Sequence, residues 1–256
     1  MFYRKEFSTN GYFLFRDFFS EEELVPLSEI VLDADSRWRA DHDFPENVNS
    51  AYLTGKKFLP NFQDRERLFE FISKPELVSI AENLANSKVF FLNTQLFFNP
   101  KSDLKKPYWH RDVQYLGVEE EIQKRIIEKD IVLHFRIPFQ PDPGMEFIPG
   151  SHLRWDNESE RNTRLELEGR KHSDELPDSV RIPLEPGDLL VFSAHLIHRG
   201  VYGLNRSSFD ILYTSFPSSS MEVQKTGHFP NSDSSFFENP IFETTASLID
   251  IETDFV

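Results

Sequence analysis

Two periodicities divide the chain. Gly11 to Phe15 reads Gly-Tyr-Phe-Leu-Phe, a short apolar strand, and Ser20-Glu21-Glu22-Glu23 then sets a hydroxyl cap with glutamate three residues on, ahead of apolar residues at helical spacing. That pattern predicts a helix from about Ser20 into the thirties. A second helical stretch over 65–84 carries Leu68, Phe71, Ile72, Leu77, Ile80 and Leu84, mostly three to five apart. It is broken near Lys74-Pro75, because proline lacks an N–H and clashes with the turn before it.

From Val89 the texture changes to short apolar or alternating runs punctuated by Pro, Gly, Asn and Asp, which predicts strands over 89–98, 108–116, 131–139, 180–183, 188–192 and 207–216. An acidic helical insert over 118–129 separates two of them. The charged stretch 154–178 is expected to run over the surface, with a lid as one hypothesis. The expectation is one mainly β domain with flanking helices spanning 1–256, its core at about 10–216 and a C-terminal extension over 217–256 that wraps the core or stays partly mobile.

Composition narrows the function. A chain of 256 residues, 39% hydrophobic with 26 Phe, is long enough for one aromatic-rich core. Its 28 basic residues against 43 acidic ones give a formal charge of −15, which repels nucleic acid and anionic membranes on average. There is no cysteine, so disulfides, thiolate metal sites and cysteine nucleophiles are excluded and any strong metal ligand must be His or a carboxylate. The N-terminus lacks the apolar stretch of a signal peptide and no run of about 18 apolar residues exists for a membrane span, so the cytoplasm is the expected location.

Within the segment Tyr108-Trp109-His110-Arg111-Asp112, a strand would point His110 and Asp112 to one face and Trp109 and Arg111 to the other. A third ligand must come from elsewhere, and Ala194-His195-Leu196-Ile197-His198-Arg199-Gly200 offers two histidines just past the strand 188–192. Two imidazoles and one carboxylate on one face of an octahedral ion leave three positions open for a bidentate cosubstrate and dioxygen. A His-X-Asp pattern alone is common, and a surface His beside a solvated Asp is the competing reading.

The ordered neighbours carry more. Gly11-Tyr12, Trp109-His110-Arg111-Asp112, Phe147-Ile148-Pro149-Gly150-Ser151-His152, Pro186-Gly187-Asp188-Leu189-Leu190 and His198 with Asn205 occur in sequence over roughly residues 10 to 216. In this the chain resembles the phytanoyl-CoA dioxygenase-like family of Fe(II)/2-oxoglutarate oxygenases. The resemblance implies a double-stranded β-helix, the cupin-like jelly roll, with Fe(II) held by His110, Asp112 and His198, 2-oxoglutarate as cosubstrate and O2 as oxidant. It favours His198 over His195 as ligand, because His198 precedes the Gly200 turn and Asn205; His152, at the end of the tight Pro149-Gly150 turn, is expected to be structural or to stand behind the ligands, not to bind the metal itself.

For the distal carboxylate of the cosubstrate the resemblance points to Arg206, which shares strand parity with Ser208, although the interval from His198 is short. Gln95 resembles a position near the cosubstrate or metal-bound water. His134 and Arg136 share a face of the strand 131–139; if that face is inward, Arg136 holds the cosubstrate or an anionic substrate, and if outward it is an ion-paired surface residue. Retention of Asp112 implies hydroxylation of an unactivated C–H bond rather than halogenation, with release of succinate and CO2. The substrate is expected to be a small molecule, with an amino-acid-like compound or secondary metabolite narrowly preferred over an acyl-CoA on charge, unless a patch such as Lys101, Lys105 and Lys106 overrides the average. A jelly roll that binds metal or small molecules without turnover is the alternative, and oligomeric state is not legible.

Overall fold

The computed structural model describes residues 2–215, 228–230 and 239–248. Helix α1 (Phe2–Asn10) leads into strand β1 (Tyr12–Phe15), and α2 (Glu21–Asp41) opens on the predicted capping box. There Glu23 N donates to Ser20 Oγ at 3.3 Å and Ser20 N donates to Glu23 Oε2 at 3.1 Å. After the short strand β2 (Asn49–Ala51), the break near Pro75 becomes the boundary between α3 (Phe62–Ile72) and α4 (Pro75–Ala85). Pro75 stands at the first helical position, where a missing N–H costs nothing. Then come β3 (Phe90–Phe98), α5 (Glu120–Lys129), β4 (Val132–Pro138), β5 (Asp142–Phe147), α6 (Glu158–Arg164), β6 (Val180–Leu184), β7 (Leu189–Ser193), β8 (His198–Gly200), β9 (Ser207–Thr214) and α7 (Ile241–Leu248).

The strands form two antiparallel sheets, a large one in the order β1-β7-β4-β9-β3-β2 and a small one in the order β6-β5-β8. Alternation along the large sheet sorts its two faces. Leu133, Phe135 and Ile137 of β4, with Phe209, Ile211 and Tyr213 of β9, join the main core with Leu24, Leu68 and Leu77 of the helices. The opposite face turns to the small sheet, where Leu190 and Phe192 meet Met145, Phe147 and Leu184. Each fully buried Leu or Phe contributes about 1.5–3 kcal/mol, so these two layers fix the sheets against each other. The result is the expected jelly roll, or double-stranded β-helix, with helices on its outer face. Among the described residues no helix is long and apolar enough to cross a membrane.

Two sequence expectations change. The segment 108–116 is not a strand: His110 alone bridges to His198, and the chain turns at Asp112 into a 3-10 turn, Asp112–Leu116. Arg111 is the cause, because its fully buried guanidinium binds Asp156 at 2.7 Å and the carbonyls of Ser151, Arg154 and His195, which pins the backbone in a loop. The stretch 154–178 is likewise no free excursion. It contains α6, buries Asp156 and Arg164 in an ion pair at 2.8 Å, and accepts from Trp109 N and Nε1 at the carbonyls of His172 and Asp174. None of its residues lines the cavity described below, so it braces the site instead of covering it. Within the C-terminal extension, α7 packs Phe242 against Phe69 and Phe91, and Phe91 N donates to Thr245 Oγ1 at 3.0 Å; the remainder of 217–256, with 228–230 and 239–240 excepted, lies outside the described residues.

Candidate active site

Pairing between His110 and His198 builds the centre. The two residues exchange backbone hydrogen bonds, each N–H to the other's carbonyl at 3.0 Å, so their side chains emerge on one side with ring centroids 4.2 Å apart. Each imidazole is oriented by its own local backbone: His110 Nδ1 lies 3.1 Å from the Tyr108 carbonyl and His198 Nδ1 lies 2.9 Å from that of Leu196. A carbonyl only accepts, so Nδ1 carries the proton in both rings and Nε2 keeps its lone pair. Both Nε2 atoms face Asp112 Oδ1, at 3.5 and 3.4 Å.

Asp112 reaches this point because its N–H donates to the Ala194 carbonyl at 3.1 Å, at the start of the 3-10 turn. One ligand atom from each of His110, Asp112 and His198 lies within 4.8 Å of the others. Free Nε2 lone pairs, Nδ1–H groups tied to carbonyls and a carboxylate are the donor set of a metal site with its outer hydrogen bonds in place. The residues fit a divalent ion such as Fe(II). Electrostatics favour the ligating forms. Burial pushes the imidazole of His110 down and that of His198 to about 3, so both stay neutral. For Asp112 burial opposes ionisation, but the hydrogen bond from His134 and the neighbouring His198, His134 and His110 outweigh it and hold the carboxyl well below the usual range.

His195 turns away, with Nε2 2.8 Å from the Asp130 carbonyl, and His152 packs 6.2 Å from the Phe7 ring. Neither joins the cluster.

A cavity of about 490 Å³ opens over the three ligands. It is lined by Gln95, Arg136 and Arg206, and by Tyr52, Tyr108, Tyr115 and Tyr202 with Asn49 and Asn93. Arg136 points inward and is nonetheless ion-paired, since Nε and Nη2 donate to the two oxygens of Asp210 at 2.7 and 2.8 Å. Those residues sit directly opposite each other in the β4–β9 ladder. Arg206 is also buried, not a solvated turn residue; its Nε lies 3.3 Å from Asp142 Oδ2, and Nη2 has Met145 Sδ at 3.8 Å. Ser208 does not line the cavity: its hydroxyl donates to the same Asp142 oxygen that Arg206 uses. Ser208 therefore touches the wall through Asp142.

The sequence places His134 on the same face as Arg136 but assigns it no role, and it is the residue that ties this wall together. His134 donates from Nε2 to Asp112 Oδ2 at 2.8 Å and from Nδ1 to Asp210 Oδ2 at 2.8 Å, and its ring stacks on Phe192 at 4.6 Å. Burial disfavours its charge, but the two carboxylate hydrogen bonds prevail and raise it to about 9. Half-buried Asp112 and buried Asp210 and Asp142 thus face cationic His134, Arg136 and Arg206, a balanced set. Asp210 was the available signal, a carboxylate inside the apolar run Phe209-Asp210-Ile211 that must find a partner when buried.

Comparisons with known proteins agree with this architecture. The chain is similar to the crystal structure of the non-heme alpha ketoglutarate dependent carbocyclase SnoK from nogalamycin biosynthesis, at 18% identity over 83% of each chain with a TM-score of 0.59. It is similar to AviO1 from Streptomyces viridochromogenes Tue57, at 19% identity over 84% of this chain and 94% of that one, TM-score 0.55. EctD from S. alaskensis, solved with bound Fe, matches at 18% identity over 83% of this chain and 75% of that one, TM-score 0.58. At these identities the likeness is one of fold. A search of curated proteins returns no significant sequence match. The model of the phytanoyl-CoA dioxygenase (PhyH) family matches residues 7–209, most of the described chain and every residue of the site through Ser208. The chain belongs to the phytanoyl-CoA dioxygenase (PhyH) family.

Proposed function

We propose that this protein is a 2-oxoglutarate-dependent dioxygenase that hydroxylates an unactivated C–H bond of a small molecule. The observation that carries the reading is the convergence of His110 Nε2, Asp112 Oδ1 and His198 Nε2 beside a cavity whose lining includes the Arg206 guanidinium, held by a carboxylate through Nε alone. Fe(II) bound there supplies the activation of O2 coupled to oxidation of 2-oxoglutarate to succinate and CO2.

The chain's own residues divide the remaining work. Arg206 presents Nη1 and Nη2 to the distal carboxylate of the cosubstrate while Asp142, held in turn by Ser208, fixes its Nε. Arg136 is committed to Asp210 and sets the shape and charge of the wall behind. Gln95 offers an amide to the same space. Asp112 keeps the carboxylate whose loss would open a halide position, which supports hydroxylation. Apart from Asp112, no carboxylate and no lysine lines the cavity among the described residues, so the part of the substrate that enters is uncharged and meets tyrosine rings and asparagine amides. Of the amino-acid-like compound and the secondary metabolite, this lining favours an uncharged secondary metabolite.

Aerobic incubation with Fe(II) and 2-oxoglutarate tests the reading through succinate release. Slow uncoupled succinate formation is expected in the native protein and none in Asp112→Ala; release that is equal in both would refute it.

A further inference from the structure

Asp112 offers two oxygens, and the structure treats them differently. Oδ1 faces the Nε2 atoms of His110 and His198 at 3.5 and 3.4 Å, whereas Oδ2 accepts from His134 Nε2 at 2.8 Å. His134 is itself immobilised. Its Nδ1 donates to Asp210 at 2.8 Å, its ring lies on Phe192 with only 12° between the planes, and Asp210 is gripped at both oxygens by Arg136. Register enforces the arrangement, because His134 and Phe192 are partners across β4–β7 while Arg136 and Asp210 are partners across β4–β9.

We infer that His134 is a positioning residue which restricts Asp112 to one-oxygen coordination, with Asp210 and Arg136 as its rigid backing. The coordination count gives this a purpose. Two imidazoles with a one-oxygen carboxylate leave three positions of an octahedral ion, two for a chelating 2-oxo acid and one more. Were Oδ2 free to rotate in, the carboxylate would occupy a fourth position and one of those sites would be lost. Both ring nitrogens of His134 are spent on carboxylates, so His134 does not itself compete as a ligand. The inference rests on the metal site proposed above and adds a role that the three ligands do not define.

Two amide substitutions separate the role from simple space filling. The amide nitrogen of His134→Gln reaches the place of Nε2 and still donates to Asp112; that of His134→Asn reaches only the place of Nδ1 and donates to Asp210. Titration of each purified protein with Co(II) alone, followed by visible absorption, reads both affinity and ligand geometry. His134→Gln should keep the native spectrum and an affinity within a few-fold of native, while His134→Asn should lose about 10- to 100-fold in affinity and change the band shape. Equal behaviour of the two variants overturns the inference. A second measurement needs no variant: in the Zn(II)-loaded protein, ¹⁵N shifts should place a proton on Nε2 of His134, the atom that donates to Asp112, and an unprotonated Nε2 overturns it too. Absence of Co(II) uptake by the native protein would instead refute the metal site itself, and the inference with it.

Discussion

Arg206 holds Asp142 through Nε alone, at 3.3 Å, and leaves its two terminal nitrogens beside the cavity with a thioether sulfur as neighbour. Arg136, a short distance along the same wall, has Nε and Nη2 bound to Asp210 at 2.7 and 2.8 Å. Of two buried guanidiniums, one has donors to spare. Arg206→Ala should therefore weaken 2-oxoglutarate binding by the worth of its charged hydrogen bonds, about 1.5–3 kcal/mol or roughly 10- to 150-fold in Kd, with metal affinity little changed. Arg136→Ala leaves Asp210 buried without its main partner and should lower stability by about 3–5 kcal/mol. Calorimetric titration and thermal melting of the two variants check both statements, and a cosubstrate defect confined to Arg136→Ala would reverse the assignment.

Gly200, with no side chain, lets the Arg206 head lie close against β8. A Cβ placed at Gly200 would lie 2.6 Å from Arg206 Nη2, inside van der Waals contact, so the guanidinium would have to shift toward the cavity that both residues line. Gly200→Ala should therefore raise the Kd for 2-oxoglutarate by roughly the same factor of ten or more while Co(II) affinity stays near native. Parallel titrations with the metal and with the cosubstrate read the two effects apart; a variant with native cosubstrate affinity would mean that the guanidinium is not placed by this contact.

Much of the site was legible because its chemistry is written locally and in order, in His110 and Asp112, in the Pro149-Gly150 turn and in His198. Their convergence nevertheless does not follow from strand periodicity. His110 and Asp112 do not share a strand face: His110 meets His198 through an antiparallel bridge, and Asp112 arrives by the turn that Arg111 enforces. That turn depends on Asp156, far along the chain, which no local pattern reveals. Strand β5 escaped notice because Pro143-Gly144 interrupts its alternation, the site of a register shift where a Cβ on Gly144 would lie 1.8 Å from the Ile182 carbonyl. Strand β8 has only three residues, too few for periodicity to register. Asp142 stands beside the same interruption, so its hold on Arg206 and Ser208 was equally hidden.

Acid should destabilise the metal-free protein. Burial, chiefly, pushes His152 and His195 down to about 4, and the Nδ1 atom of each is enclosed without a hydrogen-bond partner. In the unfolded chain the same rings titrate near about 6.5. Since unfolding then takes up protons, the stability these neutral rings confer is complete above that value and is lost as pH falls toward about 4. His134 has the opposite sign: its folded value of about 9 means that its contribution is present below the unfolded value and is lost as pH rises through 9. Melting temperatures measured in chelator should thus decline on both sides of neutrality. His195→Gln, which keeps a donor for the Asp130 carbonyl, should flatten the acid limb, and an unchanged slope between pH 7 and 4.5 would show that His195 does not drive it.

The central claim is that His110, Asp112 and His198 hold Fe(II) in a form that chelates 2-oxoglutarate. Anaerobic titration of the native protein with Fe(II) and 2-oxoglutarate measures this through the visible charge-transfer absorption of the chelate. The band should grow to one equivalent in the native protein and be absent in Asp112→Ala. Well-folded native protein without a band, or a band of equal strength in Asp112→Ala, would contradict the account.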